Sequence, residues 1–300
     1  MDEQKSPHLS RLSYFRGEII ATLKVVGIYS LCGIPMLAAM AFTTLNTQPE
    51  RTLDDALFKI IPFHPYYSVP EWILAVIITT TSLPVLFLAP THLLYGLRST
   101  LLFLSPLYLF RSLTISATLM PDPYGLCLAT SPLTKDILNG SIVEIIQAHF
   151  SGKLRLCADL IFSGHTLTAG YMLYLIAHLY RLPKLKPYRS ITLKFVSFLY
   201  CVLIYNMLAC RFHYTVDVLV AAALLILGLI AHDSVVKLLI PHHNWYTKLL
   251  YANTMEEYGV IVSDNIFLLA PGVVPEGEVV VTETKTILYK GIEKGRLKAD

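Results

Sequence analysis

The feature that most constrains this chain is a series of long apolar runs that a membrane can accommodate and a soluble core of this size cannot. A helix needs about 20 mostly apolar residues to cross the hydrocarbon core of a bilayer. Hydrophobic residues make up 54% of the sequence and charged residues 15%, whereas a soluble domain is roughly one quarter charged. The sequence therefore predicts an all-α, polytopic membrane protein.

Six apolar runs are predicted to be transmembrane helices. They are Ile19–Leu45, Val69–Ala89, Leu93–Leu119, Ala158–Tyr180, Ile191–Cys210 and Tyr214 to about Ala231. The second and third are separated by little more than Pro90-Thr91-His92, which predicts a tight helical hairpin. The runs divide the chain into an N-terminal segment (1–18), a transmembrane domain (19–231) and a C-terminal tail (232–300). Because residues 1–18 lack the pattern of a cleavable signal peptide, we expect the first run to serve as an anchor.

Basic residues in short loops predict the orientation of the helices. Residues 1–18 contain three basic residues, and the loop 181–189 contains four basic residues and no acidic one. Loops rich in Lys and Arg stay in the cytosol. With six spans, both termini are predicted to be cytosolic, and the loops 46–68 and 120–157 are predicted to face the lumen or the exterior.

The C-terminal tail is more polar than the rest of the chain. Its apolar stretches Phe267–Leu269 and Val279–Thr284 flank the turn-forming residues Pro271-Gly272 and Pro275–Gly277, which predicts a short β-hairpin. His242-His243 is the one adjacent histidine pair, but no further ligands stand at metal-binding spacing around it. We expect no metal site.

Two short stretches place a histidine and a carboxylate at the edge of apolar runs. Asp159 and His165 lie where the fourth run begins, and His213 and Asp217 lie at the turn between the fifth and sixth runs. Ionisable groups at membrane depth are costly, so they usually face a cavity or a partner and mark function. Under the predicted topology, both stretches reach the same leaflet, so we expect them to form one site.

The residue types in these stretches suit phosphoryl transfer. His213 and Asp217 are four residues apart and would share a helix face. A carboxylate bonded to one imidazole nitrogen fixes the tautomer, so the other nitrogen of His213 could attack phosphorus. His165 would give its proton to the departing alkoxide. Arg111, inside the third run, and Arg211 could hold the phosphate oxygens.

Each of these residues also has a plainer interpretation when taken singly. His165 could be hydrogen-bonded between two helices, and Asp217 could complement a helix dipole. Ser163-Gly164 could mark close helix packing. Arg211 could anchor a helix at the membrane interface. The combination of the two stretches favours a catalytic site.

The same residues resemble the motifs of the sphingomyelin synthase family. Asp159–Thr166, preceded by Cys157, resembles the family motif Cys-Gly-Asp-x3-Ser-Gly-His-Thr. His213–Val218 resembles the partner motif His-Tyr-x2-Asp-Val, and Phe110–Thr114 is similar to a third-span Tyr-Arg-x2-Thr element. The resemblance extends over roughly residues 50 to 235.

This resemblance implies a six-span enzyme that transfers a phospho-headgroup from a glycerophospholipid to the primary hydroxyl of ceramide and releases diacylglycerol. It implies that His165, His213 and Asp217 form a catalytic triad that needs no metal or other cofactor. The residues that we expect to bind the phosphate or support the site are Arg111, Asp159 and Arg211. The family also implies residence in the Golgi, although a plasma-membrane location fits the same topology.

Departures from the family pattern leave the headgroup open. Ala158 replaces the motif glycine and Phe110 replaces the third-span tyrosine. We expect phosphocholine first, with phosphoethanolamine and inositol phosphate as alternatives. A lipid phosphatase, which uses water as acceptor, is disfavoured because Leu182 separates Arg181 from Pro183 where that class has an Arg-Pro pair.

A non-catalytic transporter or lipid-binding scaffold remains an alternative from another class. Transporters often carry internal repeats, which this sequence lacks. The net charge of +3 is too small to predict a nucleic-acid partner, so membrane lipids are the expected partners. The sequence makes no prediction of the oligomeric state.

Overall fold

The structure is a computed structural model that describes residues 7–46, 52–66, 68–121, 123, 141, 143–144, 146–147, 151, 160–239, 245–251, 279–281 and 287–289. Its longer helices and its strands are α1 (Pro7–Asn46), α2 (Val69–Leu88), α3 (Pro90–Thr118), α4 (Gly164–Leu179), α5 (Arg189–Ala209), α6 (Thr215–Leu239), α7 (Trp245–Tyr251), β1 (Val279–Val281) and β2 (Ile287–Tyr289). Short 3-10 helices cover Leu57–Lys59 and Lys186–Tyr188.

Five helical segments of the described residues are long and apolar enough to cross a membrane. They are Arg16–Thr44, Val69–Leu88, His92–Thr118, Lys186–Ala209 and Thr215–His232. Five of the six predicted runs are therefore confirmed as long apolar helices, and the chain is an integral membrane protein. The hairpin between α2 and α3 is also confirmed, with Ala89 alone between the two helices. The orientation of the termini stays a prediction.

The fourth predicted run was wrong at its start. Instead of beginning at Ala158, α4 begins at Gly164, and its 16 residues extend about 24 Å, less than the roughly 30 Å of a hydrocarbon core. Ile161 and Phe162 have left-handed backbones with φ of 61° and 58°, so a right-handed helix cannot pass through them. Ser163, with extended φ and ψ of −68° and 118°, then caps the helix.

The short α4 lies at the centre of the fold. It packs against α2, α3, α5 and α6, and most of its residues are buried. Gly170 lets Leu225 of α6 approach closer than any side chain at that position would allow, as small residues do between membrane helices. The first turn of α4 is therefore enclosed by neighbouring helices.

A buried ion pair joins α1, α3 and α7. Arg98 of α3 has no exposed surface, and its Nη1 lies 2.7 Å from a carboxylate oxygen of Glu18 in α1. The same guanidinium donates hydrogen bonds to the hydroxyl of Thr22 and to the carbonyl of Leu250, each at 3.1 Å. These contacts attach the helix α7 to the transmembrane helices.

The predicted C-terminal hairpin is present with a different partner strand. β1 and β2 pair antiparallel, with Val279 opposite Tyr289 and Val281 opposite Ile287. The prediction instead paired Val279–Thr284 with the upstream Phe267–Leu269, which lie outside the described residues. Ile287–Tyr289 are β-forming residues and follow β1 after a short connection. Because a short loop costs less entropy to close, this segment is a favourable partner strand.

The buried pair predicts a distinctive stability pattern. Removing one partner leaves an uncompensated buried charge, which costs roughly 3–5 kcal/mol, whereas replacing both with apolar residues is often neutral. Glu18→Leu should therefore lower the thermal midpoint in detergent, and the double variant Glu18→Leu/Arg98→Leu should recover part of the loss. The exposed Lys24→Ala in the same helix serves as the control. Equal or greater loss in the double variant would contradict this account.

Candidate active site

His213 and Asp217 form a buried pair at the beginning of α6. Their side chains are 1% and 0% exposed, and His213 Nδ1 lies 3.4 Å from Asp217 Oδ2. That distance is at the long end for a hydrogen bond, and catalytic pairs are often looser before substrate binds. His213 Nε2 is buried and has no hydrogen-bond partner among the described residues. Under the role predicted for His213, this is the nitrogen that would act as the nucleophile.

Backbone donors hold the carboxylate of Asp217 in place. The Ile161 N–H donates to Oδ1 and the Tyr214 N–H donates to Oδ2, each at 3.0 Å. Because Asp217 is the third residue of α6 and reaches back to the residue before the helix, it forms the carboxylate half of a capping box. Its backbone carbonyl also accepts from the Ser163 N–H at 3.2 Å. The first turn of α6 is thereby joined to the residues that precede α4.

The residues before α4 adopt a backbone that few side chains tolerate. Ile161 and Phe162 are both left-handed, and such strain persists only where the surroundings fix it. Here the bond from Ile161 to Asp217 supplies that constraint. Ser163 then accepts the Thr166 N–H on its hydroxyl oxygen at 3.2 Å and starts the helix. His165 is consequently placed in the first turn of α4.

The two predicted catalytic histidines meet in the structure. The ring of His165, which is half-buried, has its centre 6.4 Å from that of His213, with the planes at 65°. The Phe212 ring lies 5.3 Å from each of them. Two stretches that are almost 50 residues apart in sequence therefore face each other across a small gap.

Arg111 of α3 lies directly against the first residue of α4. Its side chain is buried, and a Cβ atom built on Gly164 would be 2.8 Å from its Nη1. Its guanidinium carbon is also 5.8 Å from the centre of the Phe162 ring. The N-terminus of a helix carries partial positive charge and favours anions. Arg111 and the first turn of α4 together create a positive environment beside His165.

Arg211 is occupied by structural contacts. Its Nη2 donates to the carbonyls of Phe58 and Ile61 at 2.7 and 3.1 Å, and its guanidinium stacks over the Phe58 ring at 4.0 Å. Burial lowers the pKa of the Arg211 guanidinium, although the Asp55 carboxylate opposes this effect. These contacts suit the supporting role expected for Arg211, and direct binding of phosphate by this residue stays a prediction.

The remaining site predictions fall partly outside the described residues. Asp159 lies outside the described residues, so its expected role stays a prediction. Among the described residues, no three His, Cys, Asp or Glu side chains form a group that could hold a metal.

The capping role of Ser163 and the whole contribution of Asp55 were missed from the sequence. Ser163 could have been found, because serine immediately before a helix is a common N-cap. Asp55 carried no local signal, since its partner Thr215 lies 160 residues away.

Comparisons with known proteins match the part of the chain that contains these residues. Residues 156–233, which contain both histidines and Asp217, match the family described as PAP2 superfamily C-terminal. A Caenorhabditis elegans protein named "Putative phosphatidylcholine:ceramide cholinephosphotransferase 3" is 29% identical over 204 residues. That alignment covers 64% of this chain and 56% of the relative, so the chain spans a little over half of that protein's length. Together these findings support a sphingomyelin synthase-like family and confirm the resemblance seen in the motifs.

The cap at Ser163 predicts a measurable loss of stability. Ser163→Ala removes the acceptor of the Thr166 N–H, which should cost about 1 kcal/mol and lower the thermal midpoint in detergent. Ser163→Thr keeps an acceptor and should lose less. The control is Ser234→Ala, because the exposed Ser234 hydroxyl only bonds back to a carbonyl of its own helix. If both alanine variants unfold alike, Ser163 does not cap α4.

Proposed function

We propose that this sphingomyelin synthase-like membrane protein transfers a phospho-headgroup, phosphocholine first, from a glycerophospholipid to the primary hydroxyl of ceramide. The observation that carries the proposal is the buried His213, whose Nδ1 pairs with Asp217 while its Nε2 has no partner in the described part of the chain and its ring faces His165. The name of the Caenorhabditis elegans relative supports phosphatidylcholine as donor and ceramide as acceptor.

In the first half of the reaction, His213 acts as the nucleophile. Asp217 keeps the ring proton on Nδ1, so the lone pair of Nε2 attacks phosphorus. The bond between phosphorus and the glycerol oxygen breaks, and protonated His165 gives its proton to that oxygen. Diacylglycerol leaves, and the headgroup phosphate remains on His213. The 6.4 Å between the ring centres leaves room for a phosphorus centre between the two histidines.

In the second half, the same groups work in reverse. His165, now neutral, takes the proton from the ceramide hydroxyl, whose oxygen attacks phosphorus. The bond between phosphorus and Nε2 breaks, which releases the ceramide phospholipid and restores His213. Arg111 and the first turn of α4 stabilise the charge on the non-bridging oxygens in both halves. Under the predicted topology, this chemistry takes place on the lumenal or exterior side of the Golgi or plasma membrane.

An apolar cavity that begins one helical turn from His165 supports lipid substrates. It has a volume of about 430 Å³, lies between α1, α2, α3 and α4, and is lined mainly by apolar side chains. Its lining includes Thr168, one turn from His165, and Tyr108, one turn from Arg111, and reaches Leu179 at the other end of α4. A cavity of this shape suits an acyl chain whose polar end points to the reacting groups.

The proposed nucleophile predicts a covalent phosphoenzyme. Membranes with the protein would receive a donor labelled in its phosphate, either phosphatidylcholine, phosphatidylethanolamine or phosphatidylinositol. Each donor would be tested with ceramide as acceptor and without it. We expect a ceramide phospholipid from one donor and, in acceptor-free samples, label on His213. His213→Ala should abolish both. His178→Ala, at the far end of α4, should change neither, because that ring bonds to the carbonyl of its own helix.

Three results would reject the mechanism or the activity. Label on His165, or turnover in His213→Ala, would remove His213 as the nucleophile. Phosphate released from a lipid monophosphate, without any ceramide product, would replace the transferase by a phosphatase.

The contact between Arg111 and α4 predicts that Gly164 is required for the full rate of headgroup transfer and not for folding. Gly164→Ala must push the guanidinium away, because the new Cβ would lie 2.8 Å from Nη1. We expect transfer to slow by about 10- to 100-fold, since loss of one donor to a developing oxyanion has effects of that size or larger. The thermal midpoint should stay close to that of the wild type. The control is Gly33→Ala, where a Cβ meets nothing within 4 Å.

A further inference from the structure

The carboxylate of Asp55 binds the first residue of the helix that follows His213. Asp55 Oδ2 accepts the Thr215 N–H at 2.6 Å, and Oδ1 accepts the Thr215 hydroxyl at 2.7 Å. Oδ1 also accepts the Leu57 N–H at 2.9 Å, which fixes the start of the 3-10 helix in the same segment. One side chain therefore ties the connection between α1 and α2 to the start of α6.

This contact replaces the cap that the sequence next to α6 does not provide. The first N–H groups of a helix have no partner within the helix, and a side chain just before it usually accepts one. Tyr214 holds that position here, and its hydroxyl accepts the Leu53 N–H at 3.0 Å instead. The Asp55 carboxylate supplies the acceptor and also a negative charge at the positive end of the helix.

Hydrogen bonding keeps Asp55 ionised. Burial by itself raises the pKa of the carboxyl, but hydrogen bonds from Thr215, Leu57 and Phe58 outweigh that effect and hold the pKa below its usual value. The carboxylate thus remains an acceptor for all of these donors at neutral pH.

The rest of the connection, residues 52–64, contacts the chain on both sides of His213. The His64 N–H donates to the Ala209 carbonyl at 3.1 Å, before the histidine. After it, the Tyr214 ring stacks on Phe58 with the ring centres 5.7 Å apart. With the bonds of Arg211 described above, these contacts surround the turn that carries the histidine without touching the imidazole itself.

That turn needs outside support because no helix sets its shape. His213 stands between the end of α5 at Ala209 and the start of α6 at Thr215, and Arg211 within the turn has a left-handed φ of 57°. Among the described residues, the nitrogens of the His213 ring have one side-chain partner, Asp217, at 3.4 Å. A displacement of about 1 Å at a reacting group can slow an enzyme about 100-fold.

We propose that Asp55 is a positioning residue, which holds the first residue of α6 so that His213 faces the donor phosphorus. It does not touch the reacting atoms. The inference rests on the proposed function in one respect, namely that His213 is the nucleophile, and it is independent of the headgroup and of the acceptor.

The test measures release of diacylglycerol, the step that His213 performs, from mixed vesicles of phosphatidylcholine, phosphatidylethanolamine and phosphatidylinositol with and without ceramide. The wild-type protein is compared with Asp55→Ala, Asp55→Asn, Thr215→Val and Asp54→Ala. Asp54 is the matched control, because it is the adjacent carboxylate and is exposed. The thermal midpoint of each variant is measured in the same detergent.

We expect Asp55→Ala to lower kcat by about 10- to 100-fold while the lipid concentration at half-maximal rate changes less than twofold. Asp55→Asn, which retains an acceptor oxygen, should recover part of the rate, and Thr215→Val, which keeps the N–H bond, should fall between Asp55→Ala and the wild type. Asp54→Ala should match the wild type. In Asp55→Ala, Asp55→Asn and Thr215→Val, the loss of kcat should be larger than the loss of folded protein that the lowered thermal midpoint indicates.

Other outcomes separate this inference from the proposed function. Wild-type kcat in Asp55→Ala, or rate losses that simply follow the thermal midpoints across the variants, would overturn the positioning role. Release of diacylglycerol that depends on Asp55, but without any ceramide product, would remove ceramide as acceptor and leave the inference standing. No release by the wild type would overturn both.

Discussion

The arrangement of this site depends on the carboxylate of Asp217. Its two oxygens meet the imidazole of His213 and the backbone N–H groups of Ile161 and Tyr214. One buried side chain thus orients the ring of His213, closes the first turn of α6 and holds the strained residues before α4. Its loss would leave several buried donors without an acceptor, and such groups are costly in a low-dielectric interior.

The short central helix places that local arrangement beside positive charge. Because α4 begins only at Gly164, its first turn lies among the neighbouring helices, with Thr166 and Leu167 buried and His165 half-buried. The absence of a side chain at Gly164 lets the guanidinium of Arg111 rest on the backbone there. The positive helix end, the guanidinium and the two histidines consequently converge where a phosphate would stand.

Two separate sets of contacts hold the helices in place, which suits a site that must keep its geometry. Residues 52–64 bind the ends of α5 and α6 beside the histidines, through Asp55, Phe58 and His64. Arg98, 13 residues and roughly 20 Å along α3 from Arg111, binds Glu18 and the carbonyl of Leu250. The turn that carries His213 is therefore supported by one connection, while α1, α3 and α7 are joined by a separate buried pair.

Sequence alone determined the membrane class, five of the long helices, the hairpin between α2 and α3 and the residues His165, His213 and Asp217 as candidates. These features are encoded locally, in runs of apolar residues and in the short spacing of ionisable groups. Tertiary structure decided where α4 begins, because the left-handed backbone at Ile161 and Phe162 is held by a carboxylate 56 residues away. It also decided that Arg111 lies against Gly164, that Arg211 bonds to carbonyls, and that Asp55 binds Thr215. Each of these contacts joins residues far apart in the chain, and their distances exist only once the helices have packed.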